Sequence, residues 1–340
     1  MKKEFDLLTA GEILLRLSPP NNERIDRGDI FYKQVGGAEL NVACGVAQLG
    51  GRTGIVSKLP DNRLGAFAKN KIRFSGISDD YLRYDEDKDA RLGVYYYENG
   101  AYPRKPSLVY DRVNTSINKL SLGDYEAHMY QSASMFHTTG ITLALSKNCR
   151  QTVIEMMRKF KEAGALISFD VNFRGNLWSG EQAKETIEEI LPLVDIFFCS
   201  ADTARLTFKR DGALDEVMKS FADDYDIRIV ASTQRIVHSP KKHTFGSAIY
   251  DAKEHRLLTE KPYQNIEVVD RIGSGDAYIS GALFGLLQYD MDCEKALIYG
   301  NAMGAVKNTI PGDMPSSDLE EINRIIADHN KTGYQSEMDR

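Results

Sequence analysis

Late in the chain, Gly273-Ser274-Gly275-Asp276 opens a long apolar stretch that runs through Leu287. Paired glycines let a backbone turn tightly and approach an anion with no Cβ in the way. If a helix follows, its free first-turn N–H groups and positive dipole end form a nest for negative charge. Asp276 stands beside that nest. A carboxylate there either caps the helix or acts as a base. Phosphoryl transfer requires a hydroxyl to be oriented, its proton removed and the moving charge neutralised. An aspartate beside a backbone anion hole supplies two of those needs. Two other nucleotide motifs do not fit. The chain has no G-x-x-x-x-G-K-[ST], which argues against a P-loop. The glycine turn also comes late and lacks G-x-G-x-x-G spacing, which argues against a Rossmann dehydrogenase.

The elements that must position this turn alternate. Strand signals at Thr53–Leu59, Ser134–His137, Leu166–Val171, Asp195–Cys199 and Ile227–Ala231 are interleaved with helical periodicity. That periodicity covers Glu39–Leu49, Gly65–Phe74, Lys147–Ala163, Glu181–Leu191 and Leu214–Phe221. Such alternation predicts an α/β fold with a mostly parallel central sheet and helices on both faces. Asp6–Leu17 is apolar and broken at Gly11-Glu12. The segment from Ala90 to Asp111 departs from the rule, with aromatic and polar residues alternating around a Gly-Ala-Tyr-Pro turn. It reads as a hairpin, with Ile30–Gln34 as a further strand, and predicts a small β-sheet lid or a dimer surface. The reading is one domain over 1–328, lid strands at about 13–35 and 90–112, and a polar tail at 329–340.

Composition narrows the class. The 340 residues carry 43 Lys+Arg against 49 Asp+Glu, a formal net charge of −6. That balance argues against a nucleic-acid partner. No apolar run reaches membrane-spanning length, and Glu4, Asp6 and Glu12 interrupt any signal-peptide core after Lys2-Lys3. Cys44, Cys149, Cys199 and Cys293 are scattered, as expected of small apolar residues in a reducing cytoplasm.

The motifs together resemble the ribokinase-like (PfkB) carbohydrate kinase family. Gly36-Gly37-Ala38-Glu39-Leu40-Asn41 is similar to its Gly-Gly-x-x-x-Asn, and Asp270-Arg271-Ile272-Gly273-Ser274-Gly275-Asp276 to its Asp-x-x-Gly-x-Gly-Asp. Asp170-Val171-Asn172-Phe173-Arg174 with Leu177-Trp178-Ser179, Gly140–Ser146, Gly93-Val94-Tyr95, and Tyr110 with Arg112 resemble members acting on 2-keto-3-deoxygluconate. The resemblance implies ATP and Mg2+ as cofactors and phosphorylation of the sugar acid's 6-hydroxyl. It implies Asp276 as the base, with Gly273, Ser274 and Gly275 N–H groups on the transferring phosphoryl oxygens. Gly37, Asn41, Tyr95, Tyr110, Arg112, Ile141 and Arg174 would contact the substrate. The two arginines suit its carboxylate. A second copy of the chain is a candidate partner through the lid.

The sequence departs from the family in two places. Ser200-Ala201-Asp202-Thr203 replaces an Asn-x-x-Glu linked to magnesium, with Asp202 either compensating or capping a helix. Ser232-Thr233-Gln234-Arg235 replaces a Thr-x-Gly-x-x-Gly turn, and His238 and His243 fall in what reads as an exposed loop. Ser200, Ser232 and Asn301, with Gly273 and Gly275, are the expected nucleotide contacts, and the metal ligands are left open. A neutral-sugar kinase and a non-catalytic sugar-binding relative are the competing readings.

Overall fold

The computed structural model describes residues 3–329 and 331. The expected polar tail, apart from His329 and Lys331, lies outside the described residues. In chain order the first half contains β1 (Phe5–Ala10), β2 (Leu14–Ser18), β3 (Tyr32–Gly36), α1 (Ala38–Gln48), β4 (Thr53–Pro60), α2 (Arg63–Phe74), β5 (Leu82–Asp85), β6 (Gly93–Glu98) and β7 (Ser107–Asp111). Then come α3 (Ala127–Gln131), β8 (Ala133–Thr139), α4 (Gly140–Leu145), α5 (Lys147–Glu162), β9 (Leu166–Asp170), α6 (Gly180–Ile190), β10 (Ile196–Phe198), α7 (Ala201–Leu206) and α8 (Leu214–Tyr225). The chain closes with β11 (Ile229–Ser239), β12 (Lys242–Asp251), β13 (Arg256–Thr259), β14 (Tyr263–Glu267), α9 (Ser274–Gln288), α10 (Cys293–Lys307) and α11 (Leu319–His329).

The large sheet runs β13-β12-β11-β10-β9-β8-β1-β4-β5, with β14 also paired to β12. From β5 to β11 every pairing is parallel, and the last flank is antiparallel. The parallel strands read as near-continuous apolar runs because helices cover both faces. Leu7, Leu8, Phe136, Ile167, Phe169 and Phe197 are fully enclosed. Helix starts follow their caps. The Ser146 hydroxyl accepts from Cys149 N at 3.1 Å to begin α5, and Ser179 and Gln182 form a capping box on α6.

A second sheet, β3-β2-β6-β7, stands over the C-terminal ends of the parallel strands. Its β6–β7 hairpin and β3 fall where the aromatic alternation places them. Its outer strands expose Tyr32, Leu108 and Val109. The segment expected as a loop around His238 and His243 is instead a long antiparallel hairpin of β11 and β12. His238 Nε2 pairs with Thr244 Oγ1 at 2.9 Å, and His243 is buried, so neither is a free loop residue.

Candidate active site

Open parallel sheets place ligands beyond the carboxyl ends of their strands, and a cleft of about 600 Å³ lies there under the small sheet. Each crossover delivers a residue to it: Glu12 after β1, Ile141 after β8, Asp170 at the end of β9, Ser200 after β10 and Thr233 on β11. From above, Tyr95 and Tyr110 reach it, and Gly273–Asp276 forms its side.

Backbone conformation fixes both glycine turns. Gly37 has φ 149° and Gly273 has φ 79°, in the left-handed half of the map. A Cβ on Gly37 would strike the Glu12 carbonyl oxygen, and one on Gly273 the Asp313 carbonyl oxygen. Gly273 thus launches α9 directly against the loop after α10, and Asp276 falls in its first turn. A Cβ on Gly275 would meet no protein atom within 4 Å. That open cradle of backbone beside a helix N-terminus fits a phosphate group.

Asp276 is partly buried, and desolvation raises its carboxyl to about 6. Asn41 Nδ2 donates to its Oδ2 at 2.7 Å and, with the Arg174 charge, pulls in the opposite direction. Two further carboxylates share the floor. Burial and the nearby Asp276 charge raise Asp170 to about 7. Burial also raises Glu39 to about 7, although it accepts from Thr139 N, Thr139 Oγ1 and Thr142 Oγ1 at 3.1, 2.8 and 2.6 Å. Like charges at short range keep such groups from ionising together, so the floor readily holds protons near neutral pH. Neither Asp170 nor Glu39 was assigned a role from sequence. An acidic residue at a strand end and another inside an apolar helix were the available signals.

The expected substrate contacts all line the cleft, in different states. Gly37, Asn41 and Ile141 face it. Arg174 is exposed to it, donates to its neighbour's Phe173 carbonyl at 3.1 Å, and forms no ion pair with a described residue. Arg112 departs from expectation. It is not a free charge descending from a mobile flap. It is buried at the root of the small sheet, and its Nε and Nη2 donate to Glu12 Oε2. Tyr95 also departs, because its hydroxyl donates to Asp313 Oδ2 while its ring stacks on Tyr110 at 5.7 Å.

Among the expected nucleotide contacts, Ser200 lines the cleft and accepts from Thr203 N at 3.2 Å to cap α7. Asp202 is turned to solvent beside Arg205, so it neither caps α7 nor replaces the missing glutamate. Ser232 and Asn301 do not line the cleft. Ser232 is buried on the face of β11 opposite Thr233, as strand alternation requires. Asn301 is fully buried, accepting from Ser247 at 2.7 Å and donating to Glu260 at 3.0 Å. It ties α10 to the antiparallel flank. Among the described residues no group of three or more His, Cys, Asp or Glu side chains is arranged to hold a metal ion.

Sequence reasoning also missed an ionic knot behind the turn. Arg16 of β2 is buried, donating to Asp270 Oδ2 at 2.6 Å and Asp313 Oδ1 at 2.7 Å. Its partners are 254 and 297 residues away, so nothing local announces them.

A doubly covered parallel sheet, an anion cradle at a late helix and an aspartate beside it define a sugar kinase, which transfers phosphate to an alcohol. The chain matches the pfkB family carbohydrate kinase model over residues 5–319 and belongs to that family. It is similar to the 2-dehydro-3-deoxygalactonokinase of Haloferax volcanii, 34% identical over 94% of this chain and 96% of that protein. The 2-dehydro-3-deoxygluconokinase of Bacillus subtilis is 28% identical over 99% of each. The crystal structure of 2-dehydro-3-deoxygluconokinase from Thermotoga maritima superposes with a TM-score of 0.90 at 29% identity, covering 95% and 98% of the two chains. No helix among the described residues is long and apolar enough to cross a membrane.

Proposed function

We propose that this carbohydrate kinase transfers the terminal phosphoryl group of ATP to the 6-hydroxyl of 2-keto-3-deoxygluconate, giving 2-keto-3-deoxy-6-phosphogluconate. The observation that carries the acid specificity is Arg174. It is an exposed cleft guanidinium that forms no ion pair with a described residue, and its charge acts on the proposed base. A planar two-pronged donor matches a substrate carboxylate and has nothing comparable to grip on a neutral sugar. The names carried by the similar proteins support the same class.

In this reading the sugar acid lies between Tyr95, Tyr110 and the Gly37–Asn41 turn, its carboxylate toward Arg174. Asp276 accepts the hydroxyl proton as the oxygen attacks. The N–H group of Gly275 faces the negative charge on the transferring group, which a preorganised site stabilises better than water does, while the Ser274 N–H is donated to the Arg271 carbonyl at 3.2 Å. The Gly275 cradle fits a phosphate. Among the described residues no carboxylates are grouped to hold a metal ion, and in this reading magnesium would arrive on the nucleotide's phosphates.

The test is a panel of ATP with 2-keto-3-deoxygluconate, its galactonate epimer, fructose and ribose, read by product mass. Phosphorylation of the keto acids is expected. Phosphorylation of neutral sugars alone would overturn the acid reading. The exposed Tyr32, Leu108 and Val109 of the small sheet support a second copy as partner. Sedimentation of Val109→Asp against the unaltered chain checks that, and identical mass for the two removes it.

A further inference from the structure

The cleft's cations differ in how they are neutralised. Arg112 is held by Glu12, and Arg16 by Asp270 and Asp313. The side chains of Arg235 and Arg271, which also line the cleft, make no hydrogen bond or ion pair with any described residue. Both line the same cleft, and burial and the Arg271 charge make it harder for Arg235 to stay protonated. Two guanidiniums that line one cleft and form no ion pair with a described residue repel, and a shared anion relieves that repulsion.

Their placement says which anion. Arg271 stands two residues before Gly273, at the entrance to the helix-start cradle. Arg235 projects from β11 on the same face as Thr233, and both reach the cleft. Where the sequence lacks the family's glycine turn, β11 continues to Ser239, pairing with β12 and setting Arg235 opposite Phe245. Backbone N–H groups that a turn would aim at a ligand are therefore committed to a ladder, and side-chain donors remain.

We propose that Arg235 and Arg271 form a polyphosphate clamp. They grip the non-transferred phosphates of the nucleotide and stabilise the leaving diphosphate in place of a glycine turn. This rests on the sugar-kinase reading with ATP as donor. Guanidinium forks bind phosphate oxygens in pairs and keep their charge at any working pH. Substrate recognition and phosphate gripping then fall to different arginines, Arg174 for the acceptor and this pair for the donor.

The test uses the full chain with Arg235→Gln, Arg271→Gln and the double substitution. Calorimetry with inorganic tripolyphosphate and with ADP is paired with KM for ATP and for the keto acid. Each single change is expected to weaken tripolyphosphate binding about tenfold, as loss of one charge-assisted hydrogen bond would. KM for ATP should rise in parallel and KM for the keto acid stay put. Unchanged tripolyphosphate binding in the double variant would overturn the clamp while leaving the kinase reading intact. A rise in keto-acid KM alone would also overturn it, assigning the pair to the acceptor. If ATP is not the donor, the unaltered chain shows no ATP turnover, and tripolyphosphate binding still decides the clamp. Arg235 is exposed, so its variant remains decisive even if the Arg271 variant folds poorly.

Discussion

Asn41 Nδ2 donates to Asp276 Oδ2 at 2.7 Å, joining two turns that stand 235 residues apart in the chain. The bond places a neutral donor on a carboxylate that burial drives toward the protonated state. Asn41 is therefore a control on when Asp276 is ready to accept a proton.

The pH profile should show this. Asp276 sits at about 6, above its ordinary value, and only the ionised form accepts the hydroxyl proton. kcat/KM is expected to rise as pH climbs through about 6 and then level off. Asn41→Ala removes an interaction that lowers the carboxyl, so the midpoint should move to higher pH. An unmoved midpoint would detach the profile from this pair.

Asp276→Asn should fold normally and lose about a thousandfold in turnover, within the range that positioned base catalysis supplies. ADP release coupled to product mass measures it. Stability should move the other way. A carboxyl raised in the folded state opposes folding above that raised value, and the opposition fades as pH falls through it. The asparagine variant should therefore gain more in Tm at pH 8 than at pH 5, by calorimetry.

The two glycines of the late turn make a matched pair. Gly273→Ala forces a Cβ onto the Asp313 backbone at φ 79° and should disrupt the turn and lower Tm. Gly275→Ala meets no protein atom, so Tm should hold. Its methyl group enters the phosphate cradle, and turnover should fall at least about tenfold. Equal activity of Gly275→Ala and the unaltered chain would empty the cradle of its role.

Arg174 and Arg112 should separate by readout. Arg174→Gln is expected to raise KM for the keto acid with little change in Tm. Arg112→Gln leaves Glu12 buried without its counter-charge and should cost about 3–5 kcal/mol of stability. Denaturant unfolding of Arg112→Gln and of the Glu12→Gln/Arg112→Gln double variant checks this, the double being the less damaged.

The fold was legible because its signals are local. Apolar runs such as Leu166–Asp170 and capped helices such as α5 carry their instructions within a few residues. The small sheet was legible from aromatic alternation at Tyr95 and Tyr97. The extension of β11 beyond Ala231 was not, because Gln234–Val237 is exposed and held by pairing with β12 rather than by a buried face. At the site, the glycines and Asp276 announced themselves through spacing. Asn301 misled because a polar residue in an apolar helix looks the same whether it faces a ligand or Ser247. Arg112 misled because its neutraliser, Glu12, is 100 residues upstream. Burial of a charge is a tertiary fact.

The knot of Arg16 with Asp270 and Asp313 bears on how the cleft opens. Breaking a buried ionic cluster is costly, and this one ties β2, an inner strand of the small sheet, to the loop launching α9 and the loop after α10. Tyr95 adds a second tie to Asp313 from β6. The small sheet is thus tied down along its inner strands, and its exposed edge toward the cleft is β7. A substrate admitted at that exposed edge would leave the tied turn undisturbed.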